Sequence, residues 1–348
     1  MFDVIDTLFD ELYKGLNDKI NKEESINEYF LTMKDDEIKK LSYLVSEELE
    51  EDIDLEDTKE NLVNYIIVNL DPLVKGILKY CDDSTFDKFT KIPNYIEYKT
   101  EEEVLYIIDL FFLNAFHIAK ANYNEKKDTI TIFIHNEIKD LLDKYIKVKE
   151  IKKINKMYNK IYNTIELVLD TYGVISLEVL EEIIDKNYSN FNNYNILNIL
   201  ILKSMADEGI NIYMYKDNLM LIGNAEFYDK DYTRKFYDKI DNFKIYNKDM
   251  YKSVYSFKYI SNTKGYNKLI KYLFEELRIN IIKDINFNEN IVRDYMYQSQ
   301  TSIETADEYY YNKIDRTYKI NKKQAQEINK LLKEIFSEMP KWSKGGKI

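Results

Sequence analysis

Only 8 glycines and 3 prolines punctuate 348 residues, and that scarcity constrains the fold more than any other feature. Inside a helix, glycine costs about 1 kcal/mol and proline about 3, so these residues are the usual helix breakers. A chain with so few of them is expected to be mainly helical. Hydrophobic residues make up 45% of it and charged residues 32%, which implies packed cores rather than disorder. The length leaves room for two or three domains.

Helical periodicity appears at once. Ile5, Leu8, Leu12, Leu16 and Ile20 recur every three or four residues and share one face. Such a stripe needs a cover, which makes Ile5, Leu8, Leu12 and Leu16 candidate partner-binding residues for a protein or for a second copy. Two helices are then expected over 35–46 and 58–70. Their apolar positions are Ile38, Leu41, Leu44 and Val45, then Leu62, Ile66 and Leu70.

The stretch 155–222 is the most informative. A helix through Met157, Ile161, Ile165, Val168 and Leu169 should close at Gly173, since glycine accepts the left-handed conformation of a helix end. Ser176 stands where an N-cap belongs and opens a helix buried through Leu177, Leu180, Ile183 and Ile184. A third helix over 194–207 stops at Gly209. Two strands, 210–215 and 219–222, flank the turn Lys216-Asp217-Asn218, whose Asp and Asn suit a tight hairpin. Three helices and a hairpin make the order of a winged helix. The same order is expected upstream: helices over 73–80, 84–91 and 101–113, then strands over 116–123 and 129–134 around a wing loop at 124–128. A helix capped by Asn136 should follow. The reading is therefore a mainly α, multi-domain protein with two small winged-helix-like units. Its segments are 1–25 as an amphipathic helix, 26–71 as a helical hairpin, 72–146 and 147–227 as the two units, and 228–348 as a helical domain with a basic tail. In that last segment Leu269, Tyr272, Leu273 and Leu277 form one apolar stripe. Ile328, Leu331, Leu332 and Ile335 form another.

Net charge is −12 but unevenly spread: residues 1–103 carry 28 acidic and 12 basic side chains. Basic residues gather instead at the link between the two units. Lys149, Lys152, Lys153, Lys156 and Lys160 lie there, and at helical spacing Lys149, Lys153, Lys156 and Lys160 share one face that could track phosphates. Lys203 on the third helix, Lys216 in the wing and Lys341, Lys344 and Lys347 in the tail extend the nucleic-acid alternative. The Gly345-Gly346 end is expected to be frayed. Against base reading, the third helix offers Ile, Leu and Asn rather than Arg and Gln.

The marks of catalysis are sparse. The glycines before residue 345 are isolated, so no phosphate loop is expected. His117 and His135 flank the first hairpin without a Cys or carboxylate at ligand spacing. Cys81, the single cysteine, reads as core and excludes an internal disulfide, which fits a reducing cytoplasm. Glu97 and Lys99, with Asp82, Asp83 and Asp87 upstream, have the spacing of a metal-dependent nuclease core, but such a core also needs a central sheet. That remote alternative predicts Mg²⁺-dependent cleavage lost in Glu97→Ala, and no cleavage is expected. No metal or other cofactor is expected. The start has no basic, apolar leader and the apolar runs are too short to span a bilayer, so a cytoplasmic chain without membrane association is expected.

Two short helices with the Lys59-Glu60-Asn61-Leu62 opening resemble the helical module at the front of the Rho transcription terminator and the related SAP module. Lys322 to Gly345 adds a helix, then Pro340-Lys341-Trp342, then Lys344-Gly345. Together these resemble poorly characterised Firmicutes proteins with a Rho-N/SAP-like front and a Trp-x-Lys-Gly end, some of which carry a Cys-rich SEC-C metal-binding tail. Here that tail is absent, so no metal function carries over. The resemblance implies a cytoplasmic protein of chromosomal or mobile-element origin. The expected function is that of a non-enzymatic interaction or regulatory protein binding a protein partner, with nucleic acid as the alternative.

Overall fold

The computed structural model describes residues 19–81, 86, 89, 93–99, 118–188, 194–204, 210–216, 219–253, 257–278, 292–304, 306–308 and 320–348. It is mainly helical with two small antiparallel sheets. The chain forms two compact units, Met1–Tyr162 with Asn198–Asp207, and Asn163–Leu197 with Glu208–Ile348. The stripe Ile5–Leu16, the expected helix over 101–113 and His117 lie outside the described residues.

In the first unit, α1 (Ile26–Thr32) starts at a capping box. The Ser25 hydroxyl accepts from the Glu28 amide at 3.2 Å, and the Glu28 carboxylate accepts from the Ser25 amide at 2.8 Å. Helix α2 (Asp35–Leu49) has three acids in its first turn, where the helix dipole favours them, and ends at Glu50 in the left-handed region. Helix α3 (Lys59–Val68) is capped by Thr58, and α4 (Leu70–Tyr80) follows directly. The expected apolar positions Ile38, Leu41, Leu44, Val45, Leu62 and Ile66 are buried, as are Leu73, Val74, Ile77 and Leu78.

Strands β1 (Tyr95–Lys99), β2 (Lys120–Asn124) and β3 (Thr129–Phe133) form a sheet in the order β1-β3-β2. The hairpin at 124–128 is present, with Asp128 at φ 51° in its turn. Strand β1 was not expected: it is five residues long, carries Glu97 and Lys99, and owes its form to pairing with β3. Helix α5 (Asn136–Tyr145) is capped at His135 rather than at Asn136. Asn136 is its first helical residue and accepts from the Asn94 side-chain amide.

Helix α6 (Lys149–Tyr172) ends as expected at Gly173, φ 73°. A side chain there would also collide with Phe227 and Trp342, both 2.6 Å from a Cβ. In the second unit, β4 (Val174–Ser176) leads into α7 (Leu177–Asn187), whose N-cap is Ser176. Helix α8 (Tyr194–Ser204) belongs to this unit up to Leu197 and to the first from Asn198, and β5 (Ile210–Tyr215) and β6 (Leu219–Asn224) complete the sheet in the order β4-β6-β5. Both sheets thus run first, third, second.

Helices α9 (Lys230–Tyr237), α10 (Lys248–Ser253), α11 (Phe257–Ser261), α12 (Lys264–Glu275), α13 (Asp294–Gln298) and α14 (Lys322–Ser337) follow. Helices α12 and α14 pack through Leu269, Leu273, Ile328, Leu331, Leu332 and Ile335. Gly265 lets their backbones meet. A Cβ there would lie 2.6 Å from the Ile335 nitrogen and 2.9 Å from the Glu334 carbonyl carbon. Backbone cannot rotate aside, so Gly265→Ala should destabilise by about 1–3 kcal/mol, outweighing the roughly 1 kcal/mol that alanine gains in a helix. A denaturant melt showing Gly265→Ala as stable as the parent would contradict this close approach.

The expected frayed end is instead folded. Lys341 pairs with Lys347 across a short bridge, and Trp342 between them is fully buried. The reason is tertiary: the indole fits a slot lined by Gly173, Phe227 and Tyr297, which outweighs the polar composition of its neighbours.

Candidate functional site

Helix α6 has two faces of opposite character. Asn155 and Asn159 point inward, in the first unit. The Asn155 side-chain amide donates to the carbonyls of Leu78 (3.0 Å), Lys79 (3.3 Å) and Cys81 (2.6 Å), and that of Asn159 donates to Cys81 at 2.9 Å. These are carbonyls at and just beyond the end of α4. Cys81 is fully buried against them.

Lys149, Lys153, Lys156 and Lys160 lie on the other face, and all four are exposed. Lys153 is 3.9 Å from Glu150, an exposed pair of little energetic weight. Lys152 is half-buried, its ammonium 5.5 Å from the Phe86 ring. The four lysine side chains thus share one exposed face of α6.

The other sequence candidates are placed differently. Lys216 forms an ion pair with Asp238 at 3.2 Å, and its ammonium lies 4.5 Å from the Tyr215 ring. The Tyr215 hydroxyl, and then Lys216, hold the Asp238 carboxyl below its usual range. The Lys203 side chain lies outside the described residues. In the tail, Lys341 donates to the Phe336 and Met339 carbonyls, and burial followed by the nearby Lys344 charge pulls it down to about 8. Lys341 is therefore a structural cation rather than part of an open basic tail.

On α8, Asn198 accepts from the Tyr43 hydroxyl at 2.8 Å and donates to the Glu47 carboxylate. Burial, then Glu47, push the Tyr43 phenol up to about 12. Ile196, Ile199 and Leu200 are buried. The polar position that a groove-reading helix would present to bases is thus bonded within the chain.

Of the nuclease and metal candidates, only Glu97 and His135 have described side chains. Glu97 is exposed on β1, an edge strand, and accepts from Tyr95 at 3.2 Å. Asp82, Asp83, Asp87 and the Lys99 side chain lie outside the described residues. Among the described residues, no group of three or more His, Cys, Asp or Glu is arranged to hold a metal. Burial pushes the Asp170 carboxyl up to about 6, against the pull of Arg293. No described helix is long and apolar enough to cross a membrane.

His135 is buried between the Tyr29 ring, stacked at 4.9 Å, and the edge of Phe133 at 4.9 Å, and its Nε2 has no hydrogen-bond partner among the described residues. Tyr29 also carries the Lys120 ammonium 4.7 Å from its centre, and Lys120 pairs with Glu24. Burial holds the imidazole below its ordinary value of 6.5, against the upward pull of Glu137 and Glu24. The folded state therefore binds a proton less readily than the unfolded chain. His135 contributes no penalty above the unfolded value, and stability falls as pH drops through 6.5. Urea melts between pH 7.5 and 5.5 should show a shallower loss in His135→Phe than in the parent, and equal slopes would remove His135 as the cause.

No protein-family model matches the chain, and no curated protein or solved structure is similar to it.

Sequence reasoning read Asn198 as a possible base contact and missed Asn155 and Asn159, whose partners at the end of α4 lie more than 70 positions away. The one local signal was an asparagine at an apolar-phase position of α6.

Proposed function

We propose that this chain is a non-enzymatic interaction protein that binds a protein partner through two winged-helix-like units. The shared strand order of the two sheets supports the tandem reading. Over 149–224 the order of helices and strands, α6-β4-α7-α8-β5-β6, is that of a winged helix. The observation that carries the choice of partner is the engagement of Asn198 with Tyr43 and Glu47. A winged unit that reads bases needs the third helix's polar face free for the major groove. Here Asn198 of that helix is bonded to the chain's own α2, and the wing cation Lys216 pairs with Asp238 at the surface. The apolar stripe Ile5, Leu8, Leu12 and Leu16 is the proposed contact, for a different protein or for a second copy.

The test is a tagged pull-down from host lysate with and without nuclease, followed by reconstitution with the purified captured protein. Retention in both runs, lost in Leu8→Glu/Leu12→Glu, supports the reading. Retention that disappears with nuclease contradicts it. Light scattering of the purified chain separates a second copy from a different protein.

A further inference from the structure

We propose that the lysine face of α6 is a sequence-independent binding site for the phosphate backbone of nucleic acid. This goes beyond protein binding and does not depend on it.

The geometry is that of a straight ladder. Lys149, Lys153, Lys156 and Lys160 present about one cation per turn over roughly 16 Å of helix axis, at ~1.5 Å per residue. One strand of duplex DNA places a phosphate about every 3.4 Å along its axis. A stripe of this length therefore faces four or five phosphates of one strand, and four ammonium groups can displace the counterions there. Lys149 is also the first residue of a 24-residue helix, so the positive end of its dipole adds to the same end of the stripe.

The residue type decides between a nucleic acid and an acidic protein. Protein interfaces are depleted in lysine, whose flexible stem and hydrated head are poorly suited to a dry contact. A phosphate backbone needs only point charges at regular intervals. The net charge of −12 does not oppose this, because at physiological ionic strength an exposed charge is felt over about 8 Å. Asn155 and Asn159, bonded to the end of α4, fix the rotation of the helix that turns this face outward.

The experiment is fluorescence anisotropy of the full chain with a labelled 20-base-pair DNA, a labelled single-stranded RNA and labelled polyglutamate. Binding to one or both nucleic acids at 50 mM salt is expected, falling about 100-fold by 200 mM for four neutralised phosphates. Lys149→Glu/Lys153→Glu/Lys156→Glu should abolish it or reduce the salt slope by about 3. Lys235→Glu/Lys322→Glu/Lys323→Glu, exposed lysines elsewhere, make the same change in net charge and should leave it in place. Circular dichroism checks that both variants are folded. Should the first triple variant misfold, Lys149→Gln/Lys153→Gln takes its place and should lower the slope by about 2. The proposal is overturned by no nucleic-acid binding at 50 mM, by equal loss in both triple variants, or by polyglutamate binding as tightly as nucleic acid, which would make the stripe an acidic-protein site.

Discussion

Replacing Trp342 with alanine is expected to destabilise the second unit by about 3–5 kcal/mol, the range for emptying a fully buried large aromatic site. The side chain has no solvent exposure. Its ring centre lies 5.6 Å from that of Phe227 and 5.0 Å from that of Tyr297, the latter edge-on at 90°. Its Nε1–H donates to the Asp170 carbonyl at 2.7 Å, which would otherwise be a buried acceptor near the end of α6. Its own amide donates to Gln300 at 2.9 Å. The substitution removes the filler and the donor together, and the slot cannot collapse readily because Gly173 already has no side chain to move. Trp342→Phe keeps a ring but loses the indole donor, and should cost about 1–2 kcal/mol. Denaturant melts followed by circular dichroism measure both. As the only tryptophan in the chain, Trp342 also reports on itself. Its emission in the parent should be blue-shifted and shielded from acrylamide, and red-shift on unfolding. A water-like emission in the folded protein, or a parent-like melt for Trp342→Ala, would mean that the terminal loop is not seated.

What could be read in the sequence follows from where each signal lives. Gly173, Ser176 and the hairpin at 210–224 were legible because caps and turns depend on a few adjacent residues. The α12 and α14 stripes were legible because burial repeats with the helix period. The seated Trp342 was not, since its slot is assembled from Gly173, Phe227 and Tyr297 far away in sequence, whereas its neighbours Lys341, Lys344 and Lys347 look solvated. Strand β1 was hidden for the same reason: its partner residues on β3, from Thr129 to Phe133, lie far downstream in sequence. The tyrosine bias, opaque in the sequence, acquires a physical role at some positions. The Tyr172 and Tyr251 hydroxyls meet at 2.8 Å, Tyr172 donates to the Lys244 carbonyl at 2.7 Å, and Tyr246 donates to the Gly346 carbonyl at 2.5 Å. These phenols tie down irregular backbone that no helix or strand satisfies. Of the candidate sites, the lysine stripe was legible because exposure on one helix face is a matter of spacing alone.

Asn155 gives the second large effect. Asn155→Leu keeps the branched shape at a somewhat larger volume and adds apolar surface, and it removes the side-chain oxygen, which is buried without a partner among the described residues. Those changes favour the variant. Opposing them, the carbonyls of Leu78, Lys79 and Cys81 lose a shared donor in a site where Asn155 is 1% exposed. Each unsatisfied buried acceptor costs about 1–3 kcal/mol, although Asn159 can still serve Cys81 and the Cys81 thiol still donates weakly to Leu78 at 3.5 Å. The net expectation is a loss of about 2–4 kcal/mol in a urea melt. Asn155→Asp separates a hydrogen-bond role from simple filling. It sets a carboxylate against three carbonyl oxygens, so it should be less stable than the leucine variant at neutral pH. Acidification should recover part of that loss, because burial raises the carboxyl's folded value and the protonated acid can donate where the amide did. A leucine variant as stable as the parent, or an aspartate variant with the parent's pH dependence, would show that the three contacts carry little. If they carry what their geometry implies, Asn155 links fold to surface. It holds α6 in the one rotation that buries the asparagines and presents Lys149, Lys153, Lys156 and Lys160 together. Asn155→Leu should then weaken nucleic-acid binding at 50 mM salt with every lysine still in place, which no loss of charge would explain.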